Sequence, residues 1–276
     1  MCIRDSLAGG YRNGMELILT GLDNEEKAKV FTDTLFNSIG GKDQFDEVSI
    51  CLDRNDKENP NTNEEAMAFL RINVKSKNQE LVGRLFNAKI IELALANYPG
   101  FTASGGSKPG GPILIYWPAL IDSKHIKEKI HFAGKETEII PTSQLDLDEV
   151  YYQKTKADIP LAPGGKTILK PLGLVFGARS GDKGGCANLG MWAKTSKAYS
   201  FLSEFLTTTK LKELLPDLNE FEIDRYELPN ILSLNFYIHG ILQDGVSSST
   251  RMDGQAKSLG EYLRAKKINV PKIILK

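Results

Sequence analysis

The sequence predicts an α+β fold made of two consecutive units, each with the element order β-α-β-β-α-β. Short apolar runs that alternate with polar residues, as strands do, are interleaved with stretches in which apolar residues recur at helical spacing. This order of elements occurs twice along the 276 residues. A Pro/Gly-rich segment, ADIPLAPGGK at residues 157–166, separates the two copies and marks a boundary.

The predicted first unit has strands over residues 14–20, 45–53, 66–74 and 111–117, with helices over residues 22–41 and from Ser76 onward. Asp23 and Glu26 have the spacing of a capping box, which predicts the start of the first helix, and Gly40 predicts its end. Ser76 and Gln79 repeat the capping pattern for the second helix.

The predicted second unit repeats that order, with strands over residues 167–178, 221–230, 231–240 and 271–276 and helices over residues 195–206 and 254–267. Asp253 is the expected N-terminal cap of the last helix. Between the units, residues 129–140 predict a hairpin that turns at Gly134. Residues 177–190, GARSGDKGGCANLG, are expected to form a long glycine-rich loop after the first strand.

We interpret both units as ferredoxin-like split β-α-β folds, joined by the hairpin and the Pro/Gly-rich linker. The expected segments are residues 1–6, 7–157, 158–168 (the linker) and 169–276. Residues 1–6, MCIRDS, look like the translated end of the transposon adaptor used in sequencing libraries, so they are excluded from the fold prediction. On that interpretation the chain is the C-terminal part of a longer protein.

The composition is that of an ordinary globular protein, with 41% hydrophobic and 25% charged residues. Lys plus Arg and Asp plus Glu balance at 35 each, so the overall charge favours neither nucleic acid nor an anionic membrane as a partner. No apolar stretch has the length of a membrane span. Cys2, Cys51 and Cys186 lack the spacing of a disulfide framework, which predicts a cytoplasmic location.

Two segments of the second unit predict an anion-binding site. On the expectation that the first and third strands of each sheet run parallel, side by side, the segments that follow them emerge at the same edge. These segments are residues 177–190 and 239–253, which carry glycines, serines and cations. Free main-chain N–H groups, a helix N-terminus and positive charge together favour an anion. The predicted ligand-binding residues are Arg179, Ser180, Gly181, Asp182, Lys183, Gly184, Gly185, Asn188, His239, Ser247, Ser248, Ser249 and Arg251.

Each of these features also has a structural interpretation. The glycines of residues 177–190 are equally consistent with a wide turn whose charges lie in water. The serines before Arg251 are consistent with helix capping. Cys186, near Lys183 and His239, raises the alternative of a Cys–His nucleophile, but a small Cys among glycines more commonly packs inward. Cys51, on a predicted strand, is expected in the core.

Other kinds of site have no support in the sequence. His125, His131 and His239 form no ligand pair, and no C-x-x-C occurs, so no metal is predicted. The glycine-rich segment matches neither a P-loop nor a dinucleotide-binding fingerprint, and no cofactor is predicted. No catalytic residue is assigned.

Three long segments of the second unit resemble a known family. They are GARSGDKGGCANLGMWA, YELPNILSLNFYIHGIL and GVSSSTRMDGQAKSLGEYLRAKKINVP. These look like the C-terminal ferredoxin-fold domain of the acyclic terpene utilisation AtuA family, and LFNAKIIELALANYPGFTA followed by YWPAL is similar to the end of that family's core domain. The resemblance covers roughly residues 14–276.

The resemblance implies a role in the breakdown of citronellol- and geraniol-type isoprenoids, which proceeds through acyl-CoA intermediates. The family pattern commonly has Asn at the position of Cys186 and often Arg at that of His239, which disfavours a cysteine nucleophile. We therefore expect a small-molecule or acyl-CoA ligand held through its phosphate or carboxylate, and a homo-oligomer, without nucleic acid or membrane. The rival hypotheses are a non-catalytic dimerisation or partner-docking module and a small-molecule sensor domain.

Overall fold

The computed structural model describes residues 6–94, 96–105, 108–118, 125, 127–139 and 159–275. The strands are β1 (Ser6–Thr20), β2 (Glu47–Asp53), β3 (Met67–Ser76), β4 (Thr102–Ala103), β5 (Gly111–Tyr116), β6 (Glu128–Phe132), β7 (Lys135–Ile139), β8 (Thr167–Pro171), β9 (Gly177–Lys183), β10 (Cys186–Trp192), β11 (Ile223–Leu228), β12 (Ser233–Ile238) and β13 (Lys267–Pro271). The α-helices are α1 (Asn24–Ile39), α2 (Phe86–Leu93), α3 (Ser196–Phe205), α4 (Thr208–Leu214) and α5 (Leu259–Ala265). Helices and antiparallel sheets are both present, which confirms the predicted mixed class.

The first unit is an antiparallel sheet in the order β2-β3-β1-β4, with β5 also paired to β1. Its core lies between one face of the sheet and the helices α1 and α2, where Leu17 and Leu70 pack with Phe31 and Phe86 at 0% exposure. Each such side chain contributes about 1.5–3 kcal/mol through burial. Because side chains alternate along a strand, the even-numbered residues of β1 and the odd-numbered residues of β3 lie on the opposite, helix-free face.

The predicted helix caps of the first unit are only partly correct. Gly40 ends α1 in a left-handed conformation, φ 100°, as expected. Asp23, however, has φ 57° and makes no side-chain cap hydrogen bond. Ser76 still belongs to β3, so Asn78 caps the next helix instead, its Oδ1 accepting from the main-chain N–H groups of Glu80 and Leu81. A π-helical turn, Leu81–Leu85, precedes α2.

The second unit is an antiparallel sheet in the order β11-β12-β10-β9, with β8 and β13 forming a separate two-stranded sheet. Buried residues of α3 and α5, such as Leu202 and Leu263, pack with Leu189 and Phe236 of the sheet. The prediction of one continuous strand over residues 167–178 is wrong, because a 3-10 turn at Leu172–Leu174 separates β8 from β9.

Residues 177–190 do not form a loop. They make up most of a β-hairpin in which β9 and β10 pair from Cys186–Lys183 to Trp192–Gly177 around the two-residue turn Gly184–Gly185. Ala187, Leu189 and Met191 alternate into the core, and this burial favours a strand despite the glycines. Gly184 has φ 63°, a conformation that glycine adopts without strain.

The expectation that the first and third strands run parallel is also wrong. β1 pairs with β3 antiparallel, and the equivalent strands β10 and β12 are antiparallel as well. The helix that follows the first strand brings the chain back to the starting end of the sheet, so the second strand runs parallel to the first. The turn after the second strand reverses the chain, so the third strand runs antiparallel to both. In the first unit the segments that follow β1 and β3 therefore leave from opposite ends of the sheet. In the second unit the turn Gly184–Gly185 precedes β10, so it lies at the same end of the sheet as the segment that follows β12.

The C-terminal elements differ from their predicted bounds. The last helix, predicted over residues 254–267, is reduced to α5 because Ala256 has φ 53°, which is incompatible with a helix. Asp253 still accepts hydrogen bonds from the main-chain N–H groups of Lys257 and Ser258, but it lies outside the helix. The strand predicted over residues 271–276 is wrong except at Pro271, the last residue of β13, because Lys272–Ile274 form a 3-10 turn. Helix α4 was not predicted.

The hairpin between the units has the predicted form. β6 and β7 pair antiparallel, and the turn contains Gly134 with φ 77°. None of the helices in the described parts of the chain has the length and apolar composition needed to cross a bilayer.

Candidate functional site

The two units enclose a cleft with a volume of about 470 Å³. Its floor is the helix-free face of the first sheet at β1 and β3. One wall consists of residues around Lys108, and the other is the segment Ser249–Met252 of the second unit. The cleft therefore exists only where the two units meet.

The floor is polar because the residues of three cross-strand pairs, all but one of them with polar or charged side chains, face the cleft. The register pairs Arg12 with Lys75, Gly14 with Asn73, and Glu16 with Arg71. A side chain at Gly14 would place its Cβ within contact of the Asn73 side-chain oxygen, so glycine leaves room for that amide to lie across the floor. The cleft is thus lined by hydrogen-bonding and charged groups at its base.

Positive charge predominates in the cleft. Its lining includes five cationic side chains and, among the described lining residues, a single carboxylate, Glu16. The five cations are Arg12, Arg71, Lys75, Lys108 and Arg251. Cations gathered in a concave site raise the local potential and attract anions.

Three of these cations have carboxylate partners. Lys75 lies 2.8 Å from Glu47, and Arg71 lies 2.8 Å from Asp53. Arg251 is paired in the same way with Asp217, also at 2.8 Å. Their charges are largely compensated, so the excess positive potential comes mainly from the other two.

Arg12 is the most distinctive cation. It is half-buried, and its Nη1 donates a hydrogen bond of 2.7 Å to the main-chain carbonyl of Ser249. That acceptor carries no full charge, and burial lowers the pKa of the guanidinium from its ordinary value. An anion placed beside Arg12 would supply the missing negative charge and favour the protonated form.

The wall that carries Lys108 is held in place by amide side chains. Buried Asn13 donates through Nδ2 to the carbonyls of Val82 and Lys108, at 2.8 and 2.9 Å. Asn87 donates to the same Lys108 carbonyl at 2.6 Å. These bonds fix the main chain at Lys108 against the first unit, while its ammonium group remains exposed.

The second wall is fixed by contacts between the units. Lys75, only 8% exposed, donates to Gln243 at 2.9 Å and to the hydroxyl of Ser248 at 3.1 Å. Ser247 bonds both the main-chain N–H and the carbonyl of Leu114, at 2.9 and 2.7 Å. The three serines predicted to orient a ligand thus hold the units together through Ser247 and Ser248, while Ser249 accepts from Arg12.

The predicted residues of the β9–β10 hairpin lie elsewhere. Ser180 is buried and accepts from the main-chain N–H of Gly260, and Asp182 forms an ion pair with Lys257 at 3.3 Å. Lys183 donates to the carbonyl of Asp182. Arg179 is exposed on the face opposite Ser180.

The hairpin glycines, Asn188 and His239 also contact other parts of the protein and do not line the cleft. The carbonyl of Gly185 accepts from Leu242, so residues 177–190 and 239–253 do touch at the turn. Asn188 donates to Asn235 at 3.4 Å, and His239 lies 2.8 Å from Asp224 through Nε2. Gly181 approaches Lys257, and Gly184 approaches Tyr116. Of the three cations predicted to act together, Arg251 lines the cleft and Arg179 and Lys183 do not.

Cys51 and Cys186 both lie in strands and are partly exposed. Cys51, expected in the core, lies half-exposed on the helix-free face beside Asp53 and Arg71. Its outward position follows from the alternation of β2, in which it pairs with Arg71. Burial and the neighbouring Asp53 raise the pKa of its thiol. Cys186 accepts from the main-chain N–H of Gly240 at 3.5 Å.

The cleft residues of the first unit were missed by sequence reasoning. The signal was present in RINVK, residues 71–75, where Arg, Asn and Lys recur at every second position of a predicted strand. Such spacing predicts a charged sheet face. In the described ranges no three His, Cys, Asp or Glu side chains come together in a way that could hold a metal ion.

Fold and site together define an α+β chain of two sheet-and-helix units with a cationic cleft at their junction. The family described as acyclic terpene utilisation family protein AtuA matches residues 5–132, and the AtuA ferredoxin-like domain matches residues 171–269. The chain belongs to the AtuA family. No curated protein matches it significantly.

Proposed function

We propose that this chain acts in the utilisation of acyclic terpenes by binding an anionic intermediate, the carboxylate of a terpenoid acid or a phosphate of its acyl-CoA ester. The family's description supports the metabolic role. The observation that carries the binding proposal is Arg12, a half-buried cation whose hydrogen-bond acceptor is a neutral carbonyl at the base of a cationic cleft.

The chemistry of the cleft suits such a ligand. A carboxylate or phosphate oxygen can accept from a guanidinium in a charge-assisted hydrogen bond, which is about twice as strong as a neutral one. Lys108 lies on the wall facing the opening, and the exposed side chain of Met252 adds apolar surface at the rim. The head group would lie at Arg12 and the hydrocarbon chain toward the rim.

Fold topology supports a ferredoxin-like interpretation of both units. The order β2-β3-β1-β4 in the first sheet is that of a split β-α-β unit. In the second sheet β9 occupies the position beside β10, while the last strand, β13, pairs with β8. We propose that the second unit is a variant of the same fold.

Isothermal titration calorimetry tests the binding proposal. Citronellate and coenzyme A are titrated separately into the wild-type chain, an Arg12→Gln variant and an Arg84→Gln control, which removes an exposed arginine outside the cleft. Loss of a charge-assisted hydrogen bond, about 1.5–3 kcal/mol, predicts a roughly 10- to 150-fold rise in Kd for Arg12→Gln and little change for the control. If the Kd of each anion is the same for the wild type and both variants, the assignment of the site is refuted.

An Arg179→Gln variant separates the cleft from the hairpin residues predicted from sequence. The cleft proposal expects this variant to bind as the wild type does. If only Arg179→Gln loses affinity, the anion binds at the second sheet and not in the cleft.

A further inference from the structure

Among the described residues, no helix covers the side of the second sheet that faces away from α3 and α5, here called the open face. Side chains that alternate outward from β9 to β12 form this face. Trp192 is 41%, Tyr226 51% and Leu228 42% exposed. A group of large apolar side chains left in water at one place is typical of a protein–protein contact surface.

The open face has opposite charges at its two edges. At the β9 edge lie Arg179 and Lys183, both exposed. At the β11 edge lie Asp224 and, two residues earlier on the same side, Glu222. One edge is therefore basic and the other acidic.

The face also changes along the strand direction. Trp192 pairs with Ser233, which pairs with Leu228, so these two apolar side chains share the last row at one end. Tyr226 lies in the next row, at the strand edge opposite Arg179. At the other end Lys183 pairs with Cys186, and the main-chain N–H of His239 donates to the carbonyl of Glu222. The exposed apolar side chains thus lie toward one end, beside Arg179, and Lys183 and Glu222 lie at the other end.

This pattern is self-complementary under one symmetry operation. A two-fold axis that lies in the plane of the face and parallel to the strands keeps the two ends in place and exchanges the two edges. It brings the apolar end of one copy onto the apolar end of the other, and the basic β9 edge onto the acidic β11 edge. From this we infer that the open face binds a second copy of this chain, forming a symmetric dimer of face-to-face sheets.

The dimensions of the face indicate a reversible dimer. Four strands about 4.8 Å apart, with six or seven residues at about 3.3 Å each, give a face of roughly 19 by 20–23 Å. Its area is below the approximately 800 Å² per partner of a standard interface, so the dimer is expected to dissociate on dilution.

Sedimentation velocity of the full chain over a range of concentrations tests the dimer. The wild type is expected to shift from 30.5 kDa toward twice that mass as concentration rises. Trp192→Glu is expected to raise the dissociation constant at least tenfold, whereas Trp117→Glu, which changes an exposed tryptophan of the first unit, leaves it unchanged. Circular dichroism checks that both variants fold.

Charge exchange distinguishes this interface from any other. Lys183→Glu and Glu222→Lys should each weaken the dimer, because each places like charges together across the interface. The double variant should restore it, since opposite charges again face each other. A monomer at all concentrations, or a dimer that none of these changes affects, overturns the inference. Both outcomes are independent of ligand binding in the cleft.

Discussion

Lys75 provides the sharpest test of how the two units are joined. Its ammonium group donates to Glu47 at 2.8 Å, Gln243 at 2.9 Å and Ser248 at 3.1 Å. The bond to Glu47 lies within the first unit, and the other two cross to the second. Replacement by Met keeps most of the side-chain volume and removes all three bonds.

The expected loss follows from these contacts. Ser248 is 1% exposed, so its hydroxyl would lose a buried partner at a cost of about 1–2 kcal/mol. The Glu47 side chain is 39% exposed, so water replaces much of the ion pair and that contribution is at most about 1 kcal/mol. The bond to Gln243 adds a similar amount. Some of this is offset by apolar burial, giving about 2–3 kcal/mol in the free energy of unfolding.

Urea denaturation followed by fluorescence measures this loss. The matched control is Lys57→Met, which breaks an ion pair with Glu65 whose lysine side chain is 62% exposed, and is expected to change stability by less than about 0.5 kcal/mol. A Lys75→Met/Ser248→Ala cycle should show a coupling of about 1 kcal/mol. If the free energy of unfolding of Lys75→Met lies within about 0.5 kcal/mol of the wild-type value, as expected for an exposed ion pair, the proposed contacts at the junction are refuted.

Two further predictions concern single positions. Gly185→Ala would bring a Cβ within 2.1 Å of the Gln243 carbonyl oxygen, so we expect a loss of about 1–3 kcal/mol by urea denaturation, against no loss for Gly164→Ala, which meets nothing within 4 Å; equal stability of the two variants would contradict the packing at this turn. Burial raises the pKa of Tyr98 to about 12, and within the described chain its hydroxyl has no hydrogen-bond partner. Because the folded-state pKa exceeds the unfolded value of about 10, the neutral phenol contributes stability below pH 10 that is lost as the pH rises toward 12. Tyr98→Phe removes this unpartnered hydroxyl, so it should be at least as stable as the wild type at neutral pH and lack this alkaline loss in unfolding experiments. An identical pH profile for both proteins would contradict it.

Much of the fold could be predicted because its elements follow local periodicity. The helix with Phe31 and Leu35 on one face and the strand with Leu70 and Ile72 on one face were both predictable from spacing alone. The β9–β10 hairpin was missed because glycine content outweighed the alternation of Ala187, Leu189 and Met191. Two adjacent glycines between alternating strands are typical of a tight hairpin, so the information was present.

The cleft could not be predicted in the same way, because it depends on contacts between distant segments. Alternating Arg71, Asn73 and Lys75 indicate a charged face, but not what covers it. That Ser249 and Arg251 of the second unit lie over this face follows from bonds such as Lys75 to Ser248, 173 residues apart in sequence. Residues 177–190 and 239–253 do meet, at the turn Gly184–Gly185, but Arg179 lies along β9 away from that turn, so the meeting does not bring Arg179 to Arg251.

A crystal structure of the chain with citronellate tests the central proposal most directly. The cleft proposal predicts the carboxylate within hydrogen-bonding distance of the Arg12 guanidinium, between the first sheet and the segment Ser249–Met252. A carboxylate bound beside Arg179 or Lys183 on the second sheet, with Arg12 still bonded only to the Ser249 carbonyl, would contradict it.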